Sequence, residues 1–530
     1  MHLQEKRNAF KPCLPVILRK MAFLESEKGE FQELTGKHAN ALKDIFPNTF
    51  YQPLIHFKEG SVLQERAPLK IGVVFSGGPA SGGHNVLAGL HDAMKSLNKE
   101  SELIGFLNGP RGIINDEFIL LDEEVLAPYR NTGGFRLIGT GRDKIEKEED
   151  FINAEKTVLS HKLDGLVIIG GDDSNTNAAM LAEYFITNEV PCRVIGVPKT
   201  IDGDLKNQYI EKSFGFDTAT KTYSEIVGNV CSDAQSQKKY QFFIKLMGRS
   251  ASHIVLETVL RTHANYALIG EEIASLKKPF HEIIQELADI VTTRAIQGKN
   301  YGVYLIPEGI IEFIPEFKTL VNELNQLLSP DKAYQEQLEQ IAKKEERMQF
   351  ISSHLTEGSK KAFDSIPEDI RYQMLLKRDS HGNVPVSQIE SEKLIIEAVK
   401  KALEEKEDYK ETFNPQPLFC GYEGRSGYPT NFDAEYCYAL GHVATLLIDS
   451  GVTGYMACIR GLDKPAEEWE PLGTPLVPMM TIEQRQGRAK PVIKKALVDL
   501  NTEPFTTYRE KRNSWAINDD YRYPGPIQFF

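Results

Sequence analysis

Five short apolar runs, each closing on a loop of glycines or charged residues, constrain this chain most. Ile71–Phe75 runs into Ser76-Gly77-Gly78, and Gly165–Ile169 into Gly170-Gly171-Asp172-Asp173-Ser174. Arg193–Val197 runs into Pro198-Lys199-Thr200-Ile201-Asp202-Gly203-Asp204. Gln241–Leu246 runs into Met247-Gly248-Arg249-Ser250, and Tyr301–Ile306 into Pro307-Glu308-Gly309. Continuous apolar runs of this length suit strands buried on both faces. Helical stretches follow them, so the pattern predicts an α/β chain of parallel strand–helix–strand units. Ligands of such sheets bind beyond the carboxyl ends of the strands. All five loops lie at that end, and we expect them on one edge, as one site.

The remaining segments differ in texture. Residues 1–66 are mixed and polar, and read as an N-terminal extension. Residues 316–410 are rich in Glu, Lys, Gln and Leu, with helical spacing around Leu320–Leu328 and Leu394–Leu403. They read as a helical insertion, a solvated cap whose charges face water. Residues 411–465 return to a glycine-rich loop, Gly421-Tyr422-Glu423-Gly424-Arg425, followed by a helix. Residues 466–530 form a C-terminal segment with little to interpret.

Composition excludes several classes. The 530 residues carry 62 basic and 75 acidic side chains, a net charge of −13. That balance argues against a general nucleic-acid or anionic-membrane binder. The 41% hydrophobic content is ample for large cores. Six cysteines show neither CxxC nor zinc-finger spacing, as expected of reduced thiols. The most apolar window, His442–Ile459, is broken by Asp449, Ser450, Gly451 and Gly454. Lys11, Pro12, Pro15 and Arg19 interrupt any leader-like run. The expectation is a soluble, cytoplasmic protein.

Each loop has its own chemistry. Gly77, Gly78, Gly82 and Gly83 precede a helix expected to begin near Asn85. Glycines let a ligand approach the backbone, and a helix start offers N–H groups to an anion. A tight strand-to-helix turn explains the same residues equally well. Asp172 and Asp173 follow a buried strand and two glycines, and adjacent side chains at a strand end diverge, so one carboxylate can hold Mg2+ with substrate phosphates while the other faces a second element. Asx capping is the structural alternative. Lys199 offers a compact charge to phosphate, and Thr200 a hydrogen-bond donor. Asp202 can take a proton from an attacking hydroxyl, with Asp204 holding Asp202 or a metal-bound water. Arg249, expected at a helix start, opposes the helix dipole unless it meets an anion, which suits a transferring phosphoryl group. Glu308 can accept sugar hydroxyls, and Tyr422 and Arg425 can clamp a distal phosphate. His84, His253, His263, Trp469 and Trp515 read as packing or capping residues, and neither a Walker A loop nor a GxSxG elbow is present.

Taken together, Gly170–Ser174, Pro198–Asp204, Met247–Arg249 and Pro307–Gly309 resemble the phosphofructokinases in order and spacing, in their long-chain pyrophosphate-dependent form. The resemblance covers roughly residues 68–465, together with the helical insertion. It implies a phosphofructokinase-like fold with two Rossmann-like parallel-sheet domains and an insertion. Residues 67–235 would bind the donor, pyrophosphate with Mg2+; residues 236–315 and 411–465 would bind fructose 6-phosphate. Gly77 and Gly78 would line the pyrophosphate, Asp172 would bind Mg2+, and Asp202 would accept the proton of the sugar 1-hydroxyl. Thr200, Ile201, Asp204, Met247, Gly248, Arg249, Glu308, Tyr422, Glu423, Gly424 and Arg425 would surround the sugar phosphate. Lys239 and Tyr240 match a pair that reaches the site from a neighbouring subunit, which implies a homo-oligomer, at least a dimer. ATP-using relatives usually carry glycine at the places of Asp173 and Lys199, so these two imply pyrophosphate as donor. Ser81 stands where relatives usually carry proline, which implies a looser loop. The alternatives are an ATP-dependent phosphofructokinase and a regulatory subunit that binds sugar phosphates without turnover.

Overall fold

The computed structural model describes residues 3–31, 34, 38–328, 334–375, 384–485 and 488–527. The chain divides into two compact units, one built from residues 1–219 and 423–496, the other from 220–422 and 497–527.

The first unit holds a nine-stranded sheet. Its spatial order is Leu24–Phe31, Pro53–Glu59, Glu470–Pro475, Tyr455–Arg460, Arg193–Pro198, Gly165–Gly170, Lys70–Phe75, Glu102–Phe106, Phe118–Leu120. The five strands from Tyr455–Arg460 through Glu102–Phe106 are parallel, and the flanking ones antiparallel. Val74, Leu166, Ile168 and Val194 on the inner strands are buried, as the continuous apolar runs require. From Lys70–Phe75 the chain moves outward to Glu102–Phe106, then returns to form Gly165–Gly170 on the other side. That reversal opens a crevice at the strand ends, where ligands bind in such sheets. Phe75 pairs with Ile169 and Gly170 with Pro198, so the loops at 76, 171 and 199 emerge side by side.

The second unit holds a four-stranded parallel sheet ordered Pro415–Cys420, Gln241–Leu246, Gly302–Pro307, Tyr266–Ala267. Its core joins Phe243, Ile283, Leu287 and Tyr304 to Phe317, Leu320, Leu324, Phe363, Leu394, Val399 and Leu403 of the insertion.

Three sequence expectations need correction. The N-terminal extension contributes the Leu24–Phe31 and Pro53–Glu59 strands to the first sheet, with Leu54, Ile55 and Phe57 buried. The insertion is no solvated cap, because its helices Pro315–Leu327 and Ser391–Glu404 each bury an apolar stripe. The block 411–465 is split between the units. Its Pro415–Cys420 strand joins the second sheet, whereas the Tyr455–Arg460 strand lies beside Arg193–Pro198 in the first. A strand–helix–strand texture reads alike in either sheet, so composition does not mark the crossing at residues 422–423.

Candidate functional site

The five loops leave the carboxyl ends of two sheets, three from one and two from the other, not one common edge.

In the first unit, Gly77 turns the chain at φ +86°, a conformation that L side chains seldom adopt. A Cβ there would lie 3.5 Å from Lys199 Nζ, and one on Gly78 would lie 3.3 Å from Arg425 Nη1. The glycine loop is therefore lined by two cations. Lys199 is only 7% exposed. Burial pulls its pKa from 10.5 down to about 8, against the nearby Asp202 and Asp172 carboxylates, so the ammonium persists at neutral pH. The helix that follows begins at Gly83, two residues before the expected start. The Ser81 hydroxyl, fully buried, donates to the Gly427 carbonyl at 2.7 Å. That bond ties the loop down where a looser one was expected.

Asp172 and Asp173 are the first residues of the Asp172–Thr187 helix, not the end of a strand. Both carboxylates therefore gain from the helix dipole. Their partners differ: Asp172 Oδ2 lies 3.6 Å from Lys495 Nζ, and Asp173 Oδ1 3.4 Å from Lys144 Nζ. Ser174 donates to Ser76 Oγ at 2.8 Å, which pins the glycine loop to the helix start.

The Lys199–Asp204 loop folds around Thr200. The Asp202 N–H donates to Thr200 Oγ1 at 3.1 Å, and the Thr200 hydroxyl in turn donates to Asp204. Ser213 Oγ donates to the Thr200 carbonyl. Ile201 is buried. Burial, then the neighbouring Asp202 and Asp172 charges, lift the Asp204 carboxyl well above the usual carboxylate range.

A hard divalent cation fits this cluster. Asp172 Oδ2 is buried and accepts no hydrogen bond among the described residues. Asp204 stands close enough to Asp172 to feel its charge. Carboxylate oxygen donors are what a hard divalent ion selects. His91, Asp92 and Glu123 form another possible ligand group, but Arg130 already fills it, bonding Asp92 at 2.8 and 2.7 Å and Glu123 at 2.6 Å.

In the second unit, Gly248 has φ +132° and its N–H donates to Glu308 Oε2 at 3.2 Å. A Cβ on Gly309 would sit 1.8 Å from the Arg249 carbonyl oxygen, so only glycine allows that approach. Met247 N–H donates to the Cys420 carbonyl. Met247, Gly248, Arg249 and Glu308 are thus one cluster at adjacent strand ends. The next helix begins only at His253, so the expected placement of Arg249 at a helix start does not hold. The dipole argument fades beyond the first turn and carries nothing there. Tyr422 is 67% exposed at the end of this unit, while Glu423, Gly424 and Arg425 belong to the first. Lys239 and Tyr240 precede the Gln241–Leu246 strand, at its opposite end from Gly248, with the ammonium 4.9 Å from the Tyr240 ring centre.

The structure adds residues that sequence reasoning missed. Thr140 Oγ1 donates to the Gly77 carbonyl at 2.7 Å, and Gly77 N–H to the Gly141 carbonyl at 2.8 Å. This brings the Thr140–Lys144 segment to the Gly77 loop and to Asp173. Lys495 arrives from the C-terminal segment. Neither segment follows an apolar run, so neither carried a signal of the kind that marked the five loops.

A family model described as Phosphofructokinase matches residues 70–448. The chain is 47% identical over 528 residues to the pyrophosphate–fructose 6-phosphate 1-phosphotransferase of Entamoeba histolytica, spanning 100% of this chain and 96% of that protein. The protein of the same name from Treponema pallidum is 45% identical over 549 residues, with 100% and 94% covered. Among solved structures, a pyrophosphate-dependent phosphofructokinase from Nitrosospira multiformis matches with a TM-score of 0.56 at 16% identity, covering 86% of this chain and 93% of that one. At that identity the match speaks for the fold.

Proposed function

The chain belongs to the phosphofructokinase family, and from that premise we propose that it reversibly transfers a phosphoryl group from pyrophosphate to fructose 6-phosphate, yielding fructose 1,6-bisphosphate and phosphate. The observation that carries this donor assignment is Lys199, a buried ammonium set directly beneath Gly77.

In this reading Asp202 takes the proton of the sugar 1-hydroxyl, and the resulting alkoxide attacks the near phosphorus of pyrophosphate in line. Thr200 fixes the Asp202 backbone and holds Asp204 with the same hydroxyl. Lys199 and Arg249 offset the charge that gathers on the transferring group. The Glu308 carboxylate accepts the Gly248 N–H, orders that turn and so sets where Met247 and Arg249 stand. Asp172, with Asp204 beside it, would hold Mg2+, which when bound neutralises phosphate oxygens. Glu423, Gly424, Arg425 and Tyr422 complete the phosphate and sugar contacts. Donor choice rests on Asp173 and Lys199, since a carboxylate at a helix start repels the extra phosphate of a nucleotide while the lysine favours a compact diphosphate. A homo-oligomer in which Lys239 and Tyr240 serve a neighbouring site completes the assembly. No described helix is long and apolar enough to cross a membrane.

The test is fructose 1,6-bisphosphate formation by the purified protein with fructose 6-phosphate and Mg2+, run in parallel with pyrophosphate and with ATP. Turnover with pyrophosphate alone is expected. Turnover mainly with ATP would overturn the donor assignment and keep the Asp202 chemistry; silence with both would favour a sugar-phosphate-binding subunit without turnover.

A further inference from the structure

The C-terminal segment enters the donor cluster. Its two antiparallel strands, Met480–Arg485 and Arg488–Ile493, form a hairpin that packs on the Asp172–Thr187 helix. Val492 and Ile493 are buried, and Ile493 N–H donates to Thr176 Oγ1 at 3.1 Å. Beyond the hairpin the chain is fixed on both sides of Lys495. Lys494 N–H donates to the Met479 carbonyl at 3.0 Å, and Ala496 N–H to the Asp204 carbonyl at 2.7 Å. Lys495 is thereby aimed at the cluster. Its Nζ lies 3.6 Å from Asp172 Oδ2 and 3.8 Å from Asp204 Oδ2.

Those distances are informative. Charge-assisted N–H···O bonds run to about 2.7–2.9 Å, so the ammonium spans the two carboxylates without a tight bond to either. It sits where a divalent cation would balance them, and it cannot remain there beside one without like-charge repulsion. A lysine is a compact point charge on a flexible stem, and phosphate is its natural alternative partner. The side chain is one-third exposed, which leaves it room to turn.

We propose that Lys495 is a further donor-binding residue: its ammonium, which lies against Asp172 and Asp204, passes to the pyrophosphate, or to phosphate in the reverse reaction, when metal and donor bind. This rests on the reading of the loops around Asp172 and Lys199 as the pyrophosphate site.

Lys495→Met and Lys495→Arg test it, with Lys495→Gln as a milder third variant and thermal unfolding to check folding. Two readouts are needed. The first is Mn2+ binding by electron paramagnetic resonance without substrates. Removing the competing cation should tighten it several-fold in Lys495→Met, and leave it near wild type in Lys495→Arg. The second is steady-state kinetics in both directions. Loss of one charge-assisted contact should raise KM for pyrophosphate and for phosphate by about tenfold or more, with KM for fructose 6-phosphate unmoved and Lys495→Arg largely rescued. Unchanged KM for pyrophosphate and phosphate in a folded, active variant overturns the proposal. So does a uniform loss that raises the fructose 6-phosphate KM equally, or Mn2+ binding that weakens. Failure of the functional reading looks different: the wild type would not use pyrophosphate at all, while the Mn2+ arm would still report whether Lys495 competes for the carboxylates.

Discussion

In the proposed reading, donor choice is set at single residues, Asp173 among them. A carboxylate about 4 Å from a donor phosphate costs roughly 4 kcal/mol at an effective dielectric constant of about 20. Lys144, 3.4 Å from Asp173, cancels part of that repulsion while Asp173 keeps it engaged. Replacing Asp173 with glycine removes that negative charge and with it one of the carboxylates around Lys144, Glu146 remaining at 3.9 Å. Asp173→Gly should raise kcat/KM for ATP by at least about tenfold, which is about 1.4 kcal/mol of transition-state stabilisation. The same variant should lose some activity with pyrophosphate, because the helix start becomes less ordered without its carboxylate. ATP turnover that stays at the wild-type level would show that Asp173 does not exclude the nucleotide. The residue identities at this position were legible from sequence, since Asp172 and Asp173 follow an unmistakable buried run. Their setting was not: two carboxylates on the first turn of a helix look the same in one dimension as two at a strand end. Lys144 and Lys495 were illegible for a different reason. They reach the cluster through side chains and backbone bonds spanning long sequence separations, which local periodicity cannot encode.

Secondary elements are held in place here by buried charge as much as by apolar packing. Asp433, on the Asn431–Asp449 helix, caps the start of the Phe216–Gln237 helix. Its Oδ1 accepts from Gly215 N–H at 3.0 Å, and its Oδ2 from Thr218 N–H at 2.9 Å and the Thr218 hydroxyl at 2.5 Å. Burial, then the nearby Asp217 charge, push its pKa up to about 7. The folded value exceeds the unfolded one, so the native state binds the proton more tightly. The stability from this group is complete below about 3.8 and is lost as pH rises through about 7. Between pH 5 and 8 the wild type should lose more unfolding free energy than Asp433→Asn, whose side chain does not titrate. Parallel pH dependences for the two proteins would refute the assignment. The insertion gives a second case. Lys245 donates to the Ile389 carbonyl at 3.0 Å and pairs with Glu392 at 3.2 Å, both side chains nearly fully buried. Glu392→Ala should cost about 3–5 kcal/mol, because it strands a buried ammonium. Lys245→Met combined with Glu392→Leu should recover most of that in urea unfolding; if the double variant is as unstable as the single, the insertion is not fixed to the sheet through this pair. Leu394, Val399 and Leu403 already had helical spacing in the sequence. Reading them as the edge of a cap missed that Lys245, mid-strand in an otherwise apolar run, requires a buried partner from elsewhere in the chain.

The scale of the whole molecule enters through Lys239 and Tyr240. They precede the Gln241–Leu246 strand, while Gly248 and Arg249 follow it. Six strand residues at about 3.3 Å each span roughly 20 Å. Fructose 6-phosphate is much shorter than that, so one strand cannot present both ends to the same ligand. If Lys239 and Tyr240 bind substrate, they bind it for another copy of the chain. Two crippled variants separate the possibilities. Asp202→Ser lacks the proposed base, and its kcat should fall by about 10²–10⁴-fold. Lys239→Glu with Tyr240→Ala keeps the base but lacks the arm, and should fail through substrate KM. Each homodimer is then inactive. After dissociation and random reassociation, half the dimers are hybrids. In a hybrid, the chain carrying intact Asp202 is served by the partner's intact arm, while the other site carries both lesions. One working site in half the dimers restores about a quarter of wild-type activity. If the arm instead acts within its own chain, every site in the hybrid carries one lesion and nothing is restored. The outcome separates a shared site from a self-contained one without requiring the oligomer to be larger or smaller than a dimer, because any assembly that pairs arms with neighbouring sites gains activity on mixing.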